Sequence, residues 1–162
     1  MENHMSTNDL WTSYANADRE DQIIAAAEAI LKKRLERKGR IADPSEATRY
    51  LRAHCGGLEH EVFGVMFLDT RHNILAIEDL FRGTVDGAEV HPREVVKAAL
   101  QHNAQALVLY HCHPSGNPEA SAADRAVTAR LKQALALVDI RILDHFIITG
   151  DECSSMAAKG WV

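Results

Sequence analysis

Ala106-Leu107-Val108-Leu109-Tyr110 runs directly into His111-Cys112-His113-Pro114-Ser115-Gly116-Asn117-Pro118-Glu119-Ala120-Ser121-Ala122-Ala123-Asp124. The apolar run has the length and composition of a buried strand. The prolines and glycine that follow read as a loop. Ser121 then opens a helix predicted over 121–137. In extended backbone, residues two apart point the same way. His111 and His113 therefore aim their imidazoles at one point, while Cys112 faces the other side. Two histidines and a carboxylate form an accepted catalytic zinc set, which leaves a fourth position for water. Zinc lowers the pKa of such a water to about 7, making hydroxide available at neutral pH. His-x-His alone is weak evidence in a chain with nine histidines. Ser121-x-x-Asp124 also has a purely structural reading, as a capping box at a helix head. The two readings are compatible, because a capped helix start can hold Asp124 while an oxygen reaches a metal.

Working outward, Val62 to Leu68 is predicted as a strand, Asp69 to Asn73 as a turn and Ile74 to Ile77 as a returning strand. Arg82 to Gly87 reads as loop. Pro92 opens a helix running to about Asn103. Ile140–Leu143 and Phe146–Thr149 read as a strand pair or one long bent strand. Upstream, Asp43-Pro44 starts a helix, with Asp43 as cap and proline at the first helical position. Its inner face is Ala47, Tyr50 and Leu51, and Gly56-Gly57 closes it. Asp18 is predicted to cap an earlier helix that presents Ile23, Ile24, Ala27, Ile30, Leu31 and Leu35 on one side and stops at Gly39. Residues 1–17 are expected to be a flexible leader, 18–40 an N-terminal helix and 41–162 one folded domain. The fold class is mixed α/β, with helices on both faces of a mixed sheet.

The 162 residues are enough for one domain with its own core. The formal net charge of -5 argues against tight nucleic-acid binding. The one dense basic run, Lys32, Lys33, Arg34, Arg37, Lys38 and Arg40, reads as a solvated helix end favoured by the helix dipole. Cys55, Cys112 and Cys153 are odd in number and widely spaced, so a disulfide framework is not expected. No apolar run approaches the roughly 20 residues that span a bilayer, and no secretory signal is evident. The expected compartment is the cytoplasm.

His-x-His, seven residues, then Ser-x-x-Asp, with an upstream glutamate, resembles the JAMM motif of JAB/MPN metallopeptidases. Glu61-Val62-Phe63-Gly64-Val65-Met66-Phe67-Leu68-Asp69, Gly83-Thr84, His91-Pro92-Arg93-Glu94-Val95, His113-Pro114-Ser115-Gly116 and Leu143-Asp144-His145 resemble the RadC branch of that family. The resemblance covers about residues 41–150. It implies a cytidine-deaminase-like three-layer fold and a zinc-dependent peptidase or isopeptidase acting on a peptide or protein. It also implies roles: His111, His113 and Asp124 as ligands of one zinc ion, Ser121 as oxyanion stabiliser and Glu61 as general base. Glu61 precedes an apolar strand, where partial desolvation would suit a base. Ser115, between Pro114 and Gly116, reads as a turn residue and not as a nucleophile. Asp144 is a candidate for orienting a histidine ligand, and His91 and His145 for groups near the cleft. Family members carry the label of DNA repair proteins, and their N-terminal half holds a helix-hairpin-helix type of region. Residues 1–40 are expected to be too short for that region. Competing readings are a non-catalytic MPN-type interaction module, a DNA-repair accessory protein and a nucleobase deaminase. The last requires Cys-x-x-Cys, which the chain lacks.

Overall fold

The structure is a computed structural model that describes residues 7–38, 44–83, 89–114 and 116–162, with side chains for all of these except 7–15, 35–38, 44 and 46. Its elements are α1 (Thr7–Lys38), α2 (Pro44–Cys55), β1 (Val62–Leu68), β2 (Ile74–Arg82), α3 (Pro92–Gln101), β3 (Ala106–Cys112), α4 (Ala122–Ala136), β4 (Arg141–Ile148) and β5 (Cys153–Ser155). The sheet order is β2-β1-β3-β4-β5. Among the described strands only the β3–β4 pair is parallel, and α4 makes the crossover between them.

Alternation along the central strands builds three layers. Val62, Met66 and Leu68 of β1, with Val108, Tyr110 and Cys112 of β3, pack against Ala47, Tyr50 and Leu51 of α2. Phe63, Val65 and Phe67, with Leu107 and Leu109, pack on the other side against Val95 and Ala99 of α3 and Leu131 and Leu135 of α4. Every residue of β1 and β3 is buried, as expected for strands covered on both faces. This is the mixed α/β, helix-flanked sheet that the sequence predicts.

Some expectations are corrected. α1 is helical from Thr7, so residues 7–17 are not a loose leader and Asp18 lies mid-helix. No proline or glycine interrupts residues 7–38, so nothing stops the helix from continuing upstream. Residues 1–6, Gly39, Asp43, Thr84 and Ser115 lie outside the described residues. Ile23, Ile24 and Ile30 of α1 are exposed, and among the described side chains of the expected set, which exclude Leu35, Leu31 alone packs against the α2-side core. The second strand continues through Arg82, five residues past the sequence expectation, and β5 carries no apolar run that would have announced it. Arg141–Ile148 form one strand, the second of the two alternatives that the sequence offered.

Cys55 and Cys112 form a disulfide, S–S 2.05 Å, across 57 residues of sequence. The cysteine count argues against this, because proximity here comes from α2 ending over the end of β3, which spacing does not reveal. Among the described residues no helix is long and apolar enough to cross a membrane.

His54 ties three elements together. Its Nδ1 lies 2.6 Å from Glu28 Oε1 on α1, and its Nε2 lies 2.9 Å from Asp79 Oδ1 on β2. The buried Tyr110 hydroxyl donates to the same Asp79 oxygen at 2.6 Å. The Asp79 hydrogen bond, partly opposed by burial, raises the His54 pKa above 6.5. The protonated ring therefore stabilises the fold fully below the unfolded value, and that contribution fades as pH rises through the raised folded value. Urea denaturation at about pH 6 and about pH 9 should show a larger loss in the wild type than in His54→Gln; equal losses would contradict this.

Gly64 leaves room for the Tyr110 ring, which a Cβ would strike. Gly64→Ala should cost about 1–3 kcal/mol by overpacking and lower Tm by several degrees in a thermal melt. An unchanged Tm would show that the ring yields.

Candidate metal and hydrolase site

Topology brings distant residues to one place. Phe63 pairs with His111 and Val62 with Cys112, so Glu61, just before β1, lies beside the end of β3. His113 N donates to Ile148 O at 2.7 Å, which extends the β3–β4 pairing one step past the strand and holds the second histidine in line. The α4 crossover sets its first turn over the same carboxyl end, the place where open α/β sheets gather ligands.

Asp124 stands at the centre. Ser121 is the N-cap of α4, and the capping box is complete. Asp124 N donates to Ser121 Oγ at 3.0 Å, while Ser121 N and Oγ donate to Asp124 Oδ2 at 2.7 and 2.6 Å. His111 Nδ1 donates to Asp124 Oδ1 at 2.7 Å, and His113 Nε2 lies 3.7 Å from Oδ2. His111 Nε2 faces Glu61 Oε2 at 3.3 Å, and the two imidazole centroids are 4.5 Å apart. His113 Nδ1 donates to Asn117 O at 3.1 Å. The structure thus brings all five predicted residues, Glu61, His111, His113, Ser121 and Asp124, to one cleft of about 750 Å³.

Burial pushes the Asp124 carboxyl up, but the hydrogen bonds from His111 and Ser121 and the nearby His113 imidazole outweigh it and hold the group well below the usual carboxylate range. The Asp124 contact, against the opposing effect of burial, raises the His113 pKa. A carboxylate that stays ionised is what a metal ligand requires.

Could these residues hold a metal ion? Glu61, His111 and His113 each offer a ligand atom within 4.8 Å of the others. Donors on one tetrahedral zinc stand about 3.4 Å apart, so the spacing fits with small adjustment. The donor chemistry fits as well, with two imidazoles and the Glu61 carboxylate in this grouping, while Asp124, bonded to His111 on its Nδ1 side, stands outside it.

A RadC-like JAB domain profile matches residues 41–161. The chain belongs to the RadC-like JAB family. Its similar relatives include the UPF0758 protein of Xanthomonas campestris pv. campestris (strain 8004), 57% identical over 128 residues, which are 79% of this chain and 57% of the relative. The UPF0758 protein of Azotobacter vinelandii (strain DJ / ATCC BAA-1303) is 54% identical over 132 residues, 82% of this chain and 59% of the relative. The chain spans under three fifths of the length of these curated relatives.

Within this RadC-like JAB domain, Asp144 serves another purpose than orienting a ligand. It accepts from His145 N, Ser155 Oγ and Ala157 N, and so anchors the turn after β5. His91 stands ahead of α3 with its side chain largely exposed. His145 is fully buried, which lowers its pKa to about 3. Its ring stacks at 6.4 Å on His111, and its Nδ1 lies 2.7 Å from Thr128 Oγ1, which donates to Asp124 O at 2.6 Å. His145 thus backs the site from within the core. Only its place in Leu143-Asp144-His145 hinted at this.

Ser121→Ala removes the cap and one of the Asp124 donors. It should cost about 1–2 kcal/mol in metal-free protein, read as a lower urea midpoint, with Ser121→Thr close to wild type. Equal midpoints for Ser121→Ala and wild type would remove the capping box from the account.

Proposed function

We propose that this chain is a zinc-dependent hydrolase that cuts an amide bond in a peptide or protein. The observation that carries the reading is that two imidazoles and two carboxylates line one open cleft, in a chain of the JAB family. His111, His113 and Asp124 hold the ion, and Glu61 is the base. Asp124 is assigned as the ligand because it is 3% exposed and pinned by Ser121. Glu61 is less buried, with its side chain 19% exposed, and can exchange protons with solvent. Bound zinc supplies a Lewis acid that makes water nucleophilic at neutral pH.

The protein's residues supply the rest. Glu61 takes a proton from the attacking water and hands it to the leaving amine as the C–N bond breaks. Ser121 lines the cleft, and a turn of its hydroxyl from Asp124 toward the substrate carbonyl would donate to the developing oxyanion. The hydrogen-bonded pair of buried Asp124 and exposed Ser121 keeps the helix start fixed.

A second reading uses the closer grouping of Glu61 with His111 and His113, in which Asp124 only orients His111 through Nδ1. Zinc analysis of purified variants separates the two. Wild type and Glu61→Gln should carry about one zinc each, while His113→Ala and Asp124→Asn lose it. Loss in Glu61→Gln with retention in Asp124→Asn would exchange the two carboxylates. Cleavage of a peptide library should vanish in Glu61→Gln. Full zinc occupancy with no cleavage by the wild type would reduce the chain to a metal-holding interaction module.

A further inference from the structure

The cleft has a second pole. Besides the imidazoles, its lining includes the partly exposed Val90 ahead of α3 and Val127 of α4, which pack over the core around the fully buried Phe63 of β1. Ala123, Val127 and Arg130 also line it, at i, i+4 and i+7, so the cleft follows one face of α4 for two turns. Arg130 lies six residues beyond Asp124, about 9 Å along the helix axis at 1.5 Å per residue.

The charged groups of the outer cleft differ in their engagement. Glu119 is paired with Lys159 at 3.2 Å, and Glu89 lies 4.0 Å from His91 Nδ1. Arg130 is exposed and makes no hydrogen bond, ion pair or ring contact among the described residues. A guanidinium that lines a cleft without a partner is equipped to take an anion from outside, and its planar fork matches a carboxylate.

We propose that Arg130 anchors a carboxylate of the substrate, while an apolar side chain rests on the partly exposed Val90 and Val127. Extended peptide advances about 3.3 Å per residue, so 9 Å places that carboxylate about three residues from the bond that is cut. The substrate class is then a peptide with an apolar residue near the cleavage point and a negative charge about three residues away. The carboxylate is either a chain terminus or an acidic side chain. This rests on the hydrolase reading for the position of the cut, but the anchoring itself is a matter of binding.

Three fluorescent N-acylated peptides test it, each with one leucine and three residues after it. The first ends in glutamine with a free carboxylate, the second in glutamic acid amide and the third in glutamine amide. Binding to the zinc-loaded full chain is read by anisotropy at low salt. At least one of the first two should bind about tenfold tighter than the third, and which one does so identifies the source of the charge. Arg130→Ala should erase the difference, and Arg130→Glu should favour a lysine-ended peptide, both with zinc content unchanged. Similar affinities for all three peptides, a preference that survives Arg130→Ala, or no measurable binding would each overturn the assignment. Charge-dependent binding without cleavage of any peptide would refute the hydrolase reading while leaving the Arg130 anchor in place.

Discussion

A buried carboxylate must be satisfied, and the way Asp124 is satisfied organises this domain's site. With 3% exposure it has almost no water to turn to. The backbone N–H and hydroxyl of Ser121 and the Nδ1–H of His111 surround it. Leaving such a group unpaired costs several kcal/mol. The start of α4, the end of β3 and the loop between them are therefore held together by one side chain. The same contacts keep that side chain ionised and fixed, which suits it to hold a cation.

The sheet supplies the second constraint. The antiparallel β1–β3 register brings Glu61 to His111 across 50 residues of sequence. Alternation then sorts the end of β3: His111 turns toward α4, and Cys112 turns toward α2, where it meets Cys55. The site and the disulfide thus lie on opposite faces of the same strand. His145, stacked behind His111 and linked through Thr128 to the backbone of Asp124, closes the arrangement from the core side.

Much of this was legible in the residues. Period-2 alternation placed His111 opposite Cys112, and Ser121-x-x-Asp124 announced both a helix head and a fixed carboxylate. The apolar runs of β1 and β3 predicted strands, and the mixture of helices and strands predicted a sheet flanked on both faces. What escaped the reading depends on tertiary proximity. The Cys55–Cys112 bond needs α2 to end above β3, and Asp144 turns toward β5 because Ser155 and Ala157 offer it donors there. α1 misled in both directions. Its polar first half concealed a helix, and its isoleucines suggested an inner face that the described packing leaves exposed. Arg130 drew no notice in the sequence, since a lone arginine on a helix acquires meaning only when a cleft passes it.

The central claim is that two imidazoles and one carboxylate share a single zinc ion. X-ray absorption at the zinc edge of the loaded protein tests it most directly. The account predicts imidazole scattering from two histidines, with nitrogen and oxygen donors at about 2.0–2.2 Å and no sulfur. A sulfur shell near about 2.3 Å, or a spectrum without the imidazole signature, would contradict it.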